Sequence, residues 1–390
     1  VAEVGVTVVN IPYEAPTITS SLFARPGISR TLVRLRTAGG LEGLGEGIGG
    51  DDLAAGIRAA AADLIGEDPF RLEHILLRLL AGRGHRPPAV SALEFALWDV
   101  IGQACGRPVY DLLGGRVRAR VPICGVLLFR APGPAGRGGE DTPEAIAGQA
   151  ADLVARFGFP ALKWKAGVQG PETDLTVMRL VRDAVGDGVS LRIDPNGVWT
   201  ADEAADAVRR LEPYGLEWIE DPCRTAEEMA VARRRGRTPF ASDTAAGTPA
   251  DLPRLAAGGG VDVAKADTAG QGGLLPFKRF ATVGEACGLG VGMHSSAELG
   301  VATAARLHVL AATPNQLYAV DHTCWYHADD VIRGGMAGLF GGAKDGAMAP
   351  PDGPGLGVRL DEERVARYAA LHAAEGDYQS QATHGAGRRW

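Results

Sequence analysis

The chain lacks most of what would send a protein to a membrane, to nucleic acid or out of the cell. Its 390 residues hold five cysteines, Cys105, Cys124, Cys223, Cys287 and Cys324. That odd, scattered set excludes a disulfide framework and points to a reducing compartment. There are 40 Lys and Arg against 47 Asp and Glu, and a net charge of −7 has the wrong sign for nucleic acid or anionic lipid. No apolar run approaches the ~20 residues of a membrane span, and the first residues lack the basic-then-apolar pattern of a leader. We expect a cytoplasmic protein with neither nucleic acid nor membrane as partner. With 46% hydrophobic residues it can bury a large core, divided over two domains at this length.

What is present is organised around residues 190–221. Two short apolar runs, Ser190 to Ile193 and Leu216 to Ile219, each deliver a carboxylate at their C-terminal end, Asp194 and Glu220. Pro195 and Pro222 follow closely and end the strands, because proline donates no amide and restricts its predecessor. Between the runs Thr200 can cap a helix, with Ala204, Ala205, Val208 and Leu211 at helical spacing. Lys165, Asp194, Glu220, Asp243, Asp267, His294 and Asp321 each end such a run at intervals of 23 to 29 residues, the length of one βα unit. Eight parallel strands closed into a barrel gather these side chains at one C-terminal face. The fold class is α/β: a modified TIM barrel over residues 116–345, with an α+β capping domain of residues 1–115 completed by 346–390.

Ahead of the barrel, Val4 to Val9, Arg30 to Arg36 and Leu41 to Gly45 read as an antiparallel meander, with a polar loop from Pro12 to Ser29. Residues 51–82 and 89–105 carry helical stripes. Gly45-Glu46-Gly47-Ile48-Gly49-Gly50 matches the dinucleotide-binding fingerprint, but that motif needs a parallel βαβ unit, and here a meander precedes and helices follow. A mobile glycine-rich loop is the expectation. Pro132 to Gly139 is an insertion after the first barrel strand. In Ala161-Leu162-Lys163-Trp164-Lys165 the alternation of a strand puts both lysines on one face and Trp164 on the other.

One acid at a strand end is ordinarily just solvated. Asp194, Glu220 and Asp243 on three consecutive strands of one rim would repel one another, so a bound hard cation is the natural compensation, and an oxygen-only donor set favours Mg²⁺. Lys163 and Lys165 lie on one flank; paired near a cation, they would depress each other's pKa and leave one able to act as a base. On the other flank Asp267 would hold His294 in one tautomer, ready to move a proton.

This constellation resembles the enolase superfamily, in particular its mandelate racemase and glucarate dehydratase branches. The segments Asp194-Pro195-Asn196-Gly197, Glu220-Asp221-Pro222-Cys223, His294-Ser295-Ser296 and Asp321-His322-Thr323 are similar to glucarate dehydratase segments, and the likeness extends to Val90-Ser91-Ala92-Leu93-Glu94 in the cap. It implies catalytic Lys163, Lys165, Asp267 and His294, metal ligands Asp194, Glu220 and Asp243, and substrate contacts from Ser91, Asn196, Ser296, Asp321 and His322. The third ligand in that branch is usually Asn, and its last-strand segment reads Asp-Thr-His, an order that would turn the imidazole of His322 elsewhere. The expected activity is Mg²⁺-dependent dehydration of an acid sugar to a 2-keto-3-deoxy acid. A racemase or epimerase of a 2-hydroxy acid is the alternative, and an inert binding protein on the same fold the third. A homo-oligomer is expected. Arg25, the only cation between Val1 and Ser29, is the candidate for a second substrate carboxylate.

Overall fold

The computed structural model describes residues 1–19, 23–341, 345–378 and 381–382. Its first layer is an antiparallel sheet. Strand Glu3–Ile18 pairs with Phe23–Arg36, which pairs with Glu42–Ile48. The meander is as read, but its first two strands are far longer than expected, because Pro12 to Ile18 and Phe23 to Ser29 are strand rather than loop. Pairing runs through Ile11↔Ile28 and Pro12↔Gly27, bulges, and resumes at Thr17↔Arg25. Proline is tolerated beside a bulge, and Gly27 permits the close approach: a Cβ there would lie 2.3 Å from the Ile11 carbonyl.

The glycine-rich stretch is likewise strand as far as Ile48, where a mobile loop was expected. A Cβ on Gly43 or Gly45 would lie 2.1 Å from the Ala96 carbonyl or 1.9 Å from that of Ala92. The glycines therefore bring this strand onto the backbone of the buried cap helix Pro87–Cys105. That contact accounts for Gly45 of the false dinucleotide signature, while a Cβ on Gly50 would instead meet the Asp377 carboxylate.

Eight parallel strands follow: Val121–Leu127, Ala161–Lys165, Ser190–Asp194, Leu216–Glu220, Phe240–Ser242, Val263–Ala266, Gly290–Met293 and Val320–His322. The eighth pairs with the first, and among the described residues no ladder joins the seventh to the eighth, so the barrel is nearly closed. Local chemistry sets the helices between them. Thr200 and Glu203 form a capping box on Ala201–Leu211, and Thr142 caps Pro143–Phe157 with proline in the first turn. Trp164 points outward, its Nε1 donating to Asp174 (3.0 Å) under the helices. The residues two before the rim, Lys163, Arg192, Trp218 and Lys265, are buried. They form the inner layer that strand alternation dictates.

The C-terminal segment serves both layers. Ala347–Met348 pairs with the first barrel strand, while helix Glu362–Glu375 packs on Glu3–Ile18 and Gln381–Ala382 pairs with Phe23 and Ala24. Phe129–Arg130, just past the first barrel strand, pairs with Thr17 and Ile18 and ties the barrel mouth to the hairpin.

Candidate active site

The rim residues end their strands as the sequence dictates, but their partners differ from those expected. Asp194 accepts from Lys165 Nζ and lies 3.5 Å from Lys163 Nζ, while its Oδ1 accepts from the Asn196 amide (2.9 Å). Glu220 accepts from Lys163 (2.9 Å) and from Lys265 (2.5 Å). Asp243 faces His294, Nε2 to Oδ2 3.7 Å. The three carboxylates therefore all have cationic or imidazole neighbours, which corrects the expectation that they lack partners.

Lys163 is not depressed by its neighbour either. Burial works against its charge, but Asp321, Glu220 and Asp194 outweigh that and hold its pKa well above the ordinary value. The same cations pull Glu220 down to about 2 against its burial. Asp194 moves the other way, raised by burial despite Lys165.

The donor set fits Mg²⁺ in chemistry: three carboxylates on adjacent strands, and no sulfur. Its oxygens are not gathered on one point, because the lysine ammonium groups stand among them. Among the described residues, the trio of His and carboxylate donors that lie within 4.8 Å of one another is Asp51, His372 and Asp377. There the imidazole bridges two carboxylates, and Asp377 also caps the Asp51 amide, so the trio clamps the C-terminal helix to the cap. For Asp194 to serve as a ligand, Lys165 would have to give up the carboxylate oxygen that it now bonds.

The expected Asp267–His294 pair is not made. Asp267 lies just beyond its strand, where it caps the turn Thr268–Gln271 and accepts from Ser296 Oγ (3.1 Å). The turn claims one carboxylate oxygen and Ser296 the other, so His294 leans on Asp243 instead.

A cavity of about 560 Å³ lies between barrel mouth and hairpin. Lys163, Lys165, Ser296 and Asp321 line it from the barrel, and Tyr13, Thr17, Thr19, Arg25 and Arg30 from the cap. Arg25 and Ser296 thus stand where a substrate contact would. Asn196, exposed and at φ 54°, accepts from Lys165 (3.3 Å) and is outside the walls, as are His294 and Asp243. Asp321 reaches the cavity but is already held by Arg192 (3.1 Å), Lys163 (2.5 Å) and Lys265 (2.6 Å), so it anchors the cations more than it meets a ligand. Ser91 and His322 are corrections. Ser91 is buried within Pro87–Cys105, and His322, one residue off the inward register of Asp321, turns to Thr303 (3.0 Å). Burial pushes the His322 imidazole down to about 4. Thr323, back in register, takes the wall position.

Sequence reasoning missed Lys265, Arg192 and Asp221. The first two follow from period-2 alternation, two residues before Asp267 and Asp194. Arg192 stacks on Trp218, 3.8 Å from guanidinium to ring. Asp221, at φ 37°, accepts from the amides of Asp243 (3.1 Å) and Thr244 (3.3 Å) and so aims the loop that presents Asp243.

Two family models cover most of the chain: "Mandelate racemase / muconate lactonizing enzyme, N-terminal domain" over residues 2–114, and "Enolase C-terminal domain-like" over 145–364. A protein named "Probable glucarate dehydratase" from Streptomyces coelicolor is 30% identical over 90% of this chain and 87% of its own length. D-galactarolactone cycloisomerase of Agrobacterium fabrum is 30% identical over 87% and 91%. An enolase of Thermobispora bispora, solved with magnesium and formate, is 34% identical with a TM-score of 0.89, covering 98% of this chain and 95% of that one.

Proposed function

The chain belongs to the mandelate racemase/muconate lactonizing enzyme branch of the enolase superfamily, and within it we propose a Mg²⁺-dependent dehydratase of acid sugars. The observation that carries this reading is the cavity, with Lys163 and Lys165 at its barrel end and Arg25 and the threonines of the hairpin at the other. One end suits a carboxylate, and the other a polyhydroxylated tail.

A proton next to a carboxylate is too weakly acidic for an amine or imidazole in water, so the developing enediolate must be stabilised electrostatically. Asp194, Glu220 and Asp243 would hold Mg²⁺, which would supply that stabilisation when bound. Lys163, kept charged by its carboxylate neighbours, draws the substrate carboxylate to the barrel end. Lys165, released from Asp194, reaches the α-carbon from the second strand. His294 approaches from beyond the seventh strand. One of the two removes the α-proton, the β-carbon–oxygen bond breaks, and His294 protonates the departing hydroxide to water. The enol that remains tautomerises to a 2-keto-3-deoxy acid.

A relative bearing a glucarate dehydratase name supports elimination. The cycloisomerase relative favours a second reading, in which the same two groups exchange the proton without net loss of water, as a racemase or epimerase also would. The discriminating experiment is a panel of mono- and diacid sugars with Mg²⁺, read by semicarbazide. Formation of a 2-keto product supports dehydration, an epimer or lactone without it supports the second reading, and no reaction across the panel removes both.

A further inference from the structure

The segment from His294 to Leu299 has no strand ladder on its eighth-strand side, yet it holds Ala297 at φ 62°, a left-handed conformation unfavourable for alanine. Something must hold it there, and two grips are visible. From the barrel, Arg306 donates to the His294 carbonyl (2.6 Å) and pairs with buried Glu298. From the cap, Arg30 Nε donates to the Ala297 carbonyl (3.1 Å), and its Nη2 donates to the carbonyls of both Ser296 and Ala297. Glu46, 3.8 Å from Arg30, accepts the amides of Leu299 (2.8 Å) and Ala302 (2.9 Å), where the next helix begins. Arg30 and Glu46 are only 3% and 2% exposed.

The bonds of the other flank's lysines lie elsewhere. Lys165 bonds to Asp194 and Asn196, and Lys163 to Glu220 and Asp321, all within the barrel. A guanidinium fork fixes direction as well as distance, which an ammonium cannot do.

We infer that Arg30, seated on Glu46, is a positioning residue through which the cap hairpin sets where His294 stands, leaving Lys165 untouched. The inference rests on the reading above of His294 and Lys165 as the two proton-moving groups. It makes one face of the substrate dependent on the seating of the cap, and the other face independent of it.

The test is α-proton exchange in D₂O on D-glucarate and its C2 epimer D-mannarate with Mg²⁺, each face assigned by His294→Asn and Lys165→Ala. Arg30→Met lowers exchange on the His294 face roughly ten- to hundredfold more than on the Lys165 face, since misplacing a reacting group by about 1 Å can cost that much, while the loss of a cavity-wall side chain acts on both faces alike. Arg30→Lys, with charge but no fork, falls between. A second readout needs no substrate: the His294 ring signal in NMR, identified by its loss in His294→Asn, shifts or broadens in Arg30→Met. An unmoved His294 signal, or equal losses on both faces, overturns the inference. If the wild type exchanges neither epimer while the His294 signal moves, the positioning stands and the substrate reading fails. Should Arg30→Met not fold, Arg30→Lys and Glu46→Gln carry the same two readouts.

Discussion

The two flanks of the barrel mouth reach similar positions by different means. On the lysine flank every group is borne by a strand, and its partners stand on other strands across the barrel interior. Lys163, Lys265, Glu220 and Asp321 are buried and mutually bonded. On the histidine flank His294, Ser296 and Ala297 lie on a loop past the end of their strand, steadied by Arg306 from one side and by Arg30 and Glu46 from the other. Strand register fixes the first flank. Docking between domains shares in fixing the second, which makes it the flank that substitutions in the cap can move.

Removing metal should strike both flanks together and hardest. Chelation is expected to bring turnover down more than about 10³-fold, with recovery on adding Mg²⁺, because the enediolate loses its main stabilisation. Persistent activity in the stripped protein would show that the three rim acids serve only their lysine and imidazole neighbours.

The two bases separate the flanks. His294→Asn and Lys165→Ala should each cost roughly 10²–10⁴-fold in exchange, the range for a positioned acid or base, and each on one epimer only. Loss on both epimers from a single substitution, with Mg²⁺ still bound, would erase the distinction.

Acid stability probes the anchor of the histidine flank. Burial alone would raise the Glu298 carboxyl, but Arg306 and then His322 hold it down from 4.5 to about 2. A depressed carboxyl gives stability that is complete above the unfolded pKa and is lost as pH falls through the folded one. This one contributes on the order of 3 kcal/mol above about pH 5, lost toward about pH 2. Urea unfolding of wild type and Glu298→Gln at both ends of that window should show the pH dependence flattened by about that amount in the variant. Parallel curves would mean that the Arg306 pair does not anchor the loop.

The smallest effect belongs to Arg25, at the far end of the cavity. Arg25→Ala should lower kcat/KM for a diacid sugar by about 1.5–3 kcal/mol, ten- to hundredfold, and spare the matching monoacid. Equal losses would show that Arg25 does not read the distal carboxylate.

How much of this was legible in the sequence depended on how local the determining force was. Proline-terminated apolar runs, capping residues such as Thr142 and Thr200, and the recurring interval between rim residues act over a few bonds or one βα unit, so they gave the barrel and the positions of Lys165, Asp194 and Glu220 directly. Alternation could also have yielded Lys265 and Arg192, which point inward for the same reason as Lys163. The hairpin misled because Pro12 and Gly27 look like loop residues until they are seen facing each other across a bulge. Ser91 misled because its segment belongs to a helix whose partner, the glycine strand Glu42–Ile48, is remote in sequence.

The sequence by itself determined which side chains arrive at the rim, since strand period and βα length are set by backbone geometry. Only the tertiary structure decided what each one touches there. Buried charges take the partners that best offset their desolvation, and those lie on other strands or in the other domain: Glu220 meets Lys265, Asp267 turns to Ser296, and the loop of His294 is held by Arg30 from 264 residues earlier in the chain.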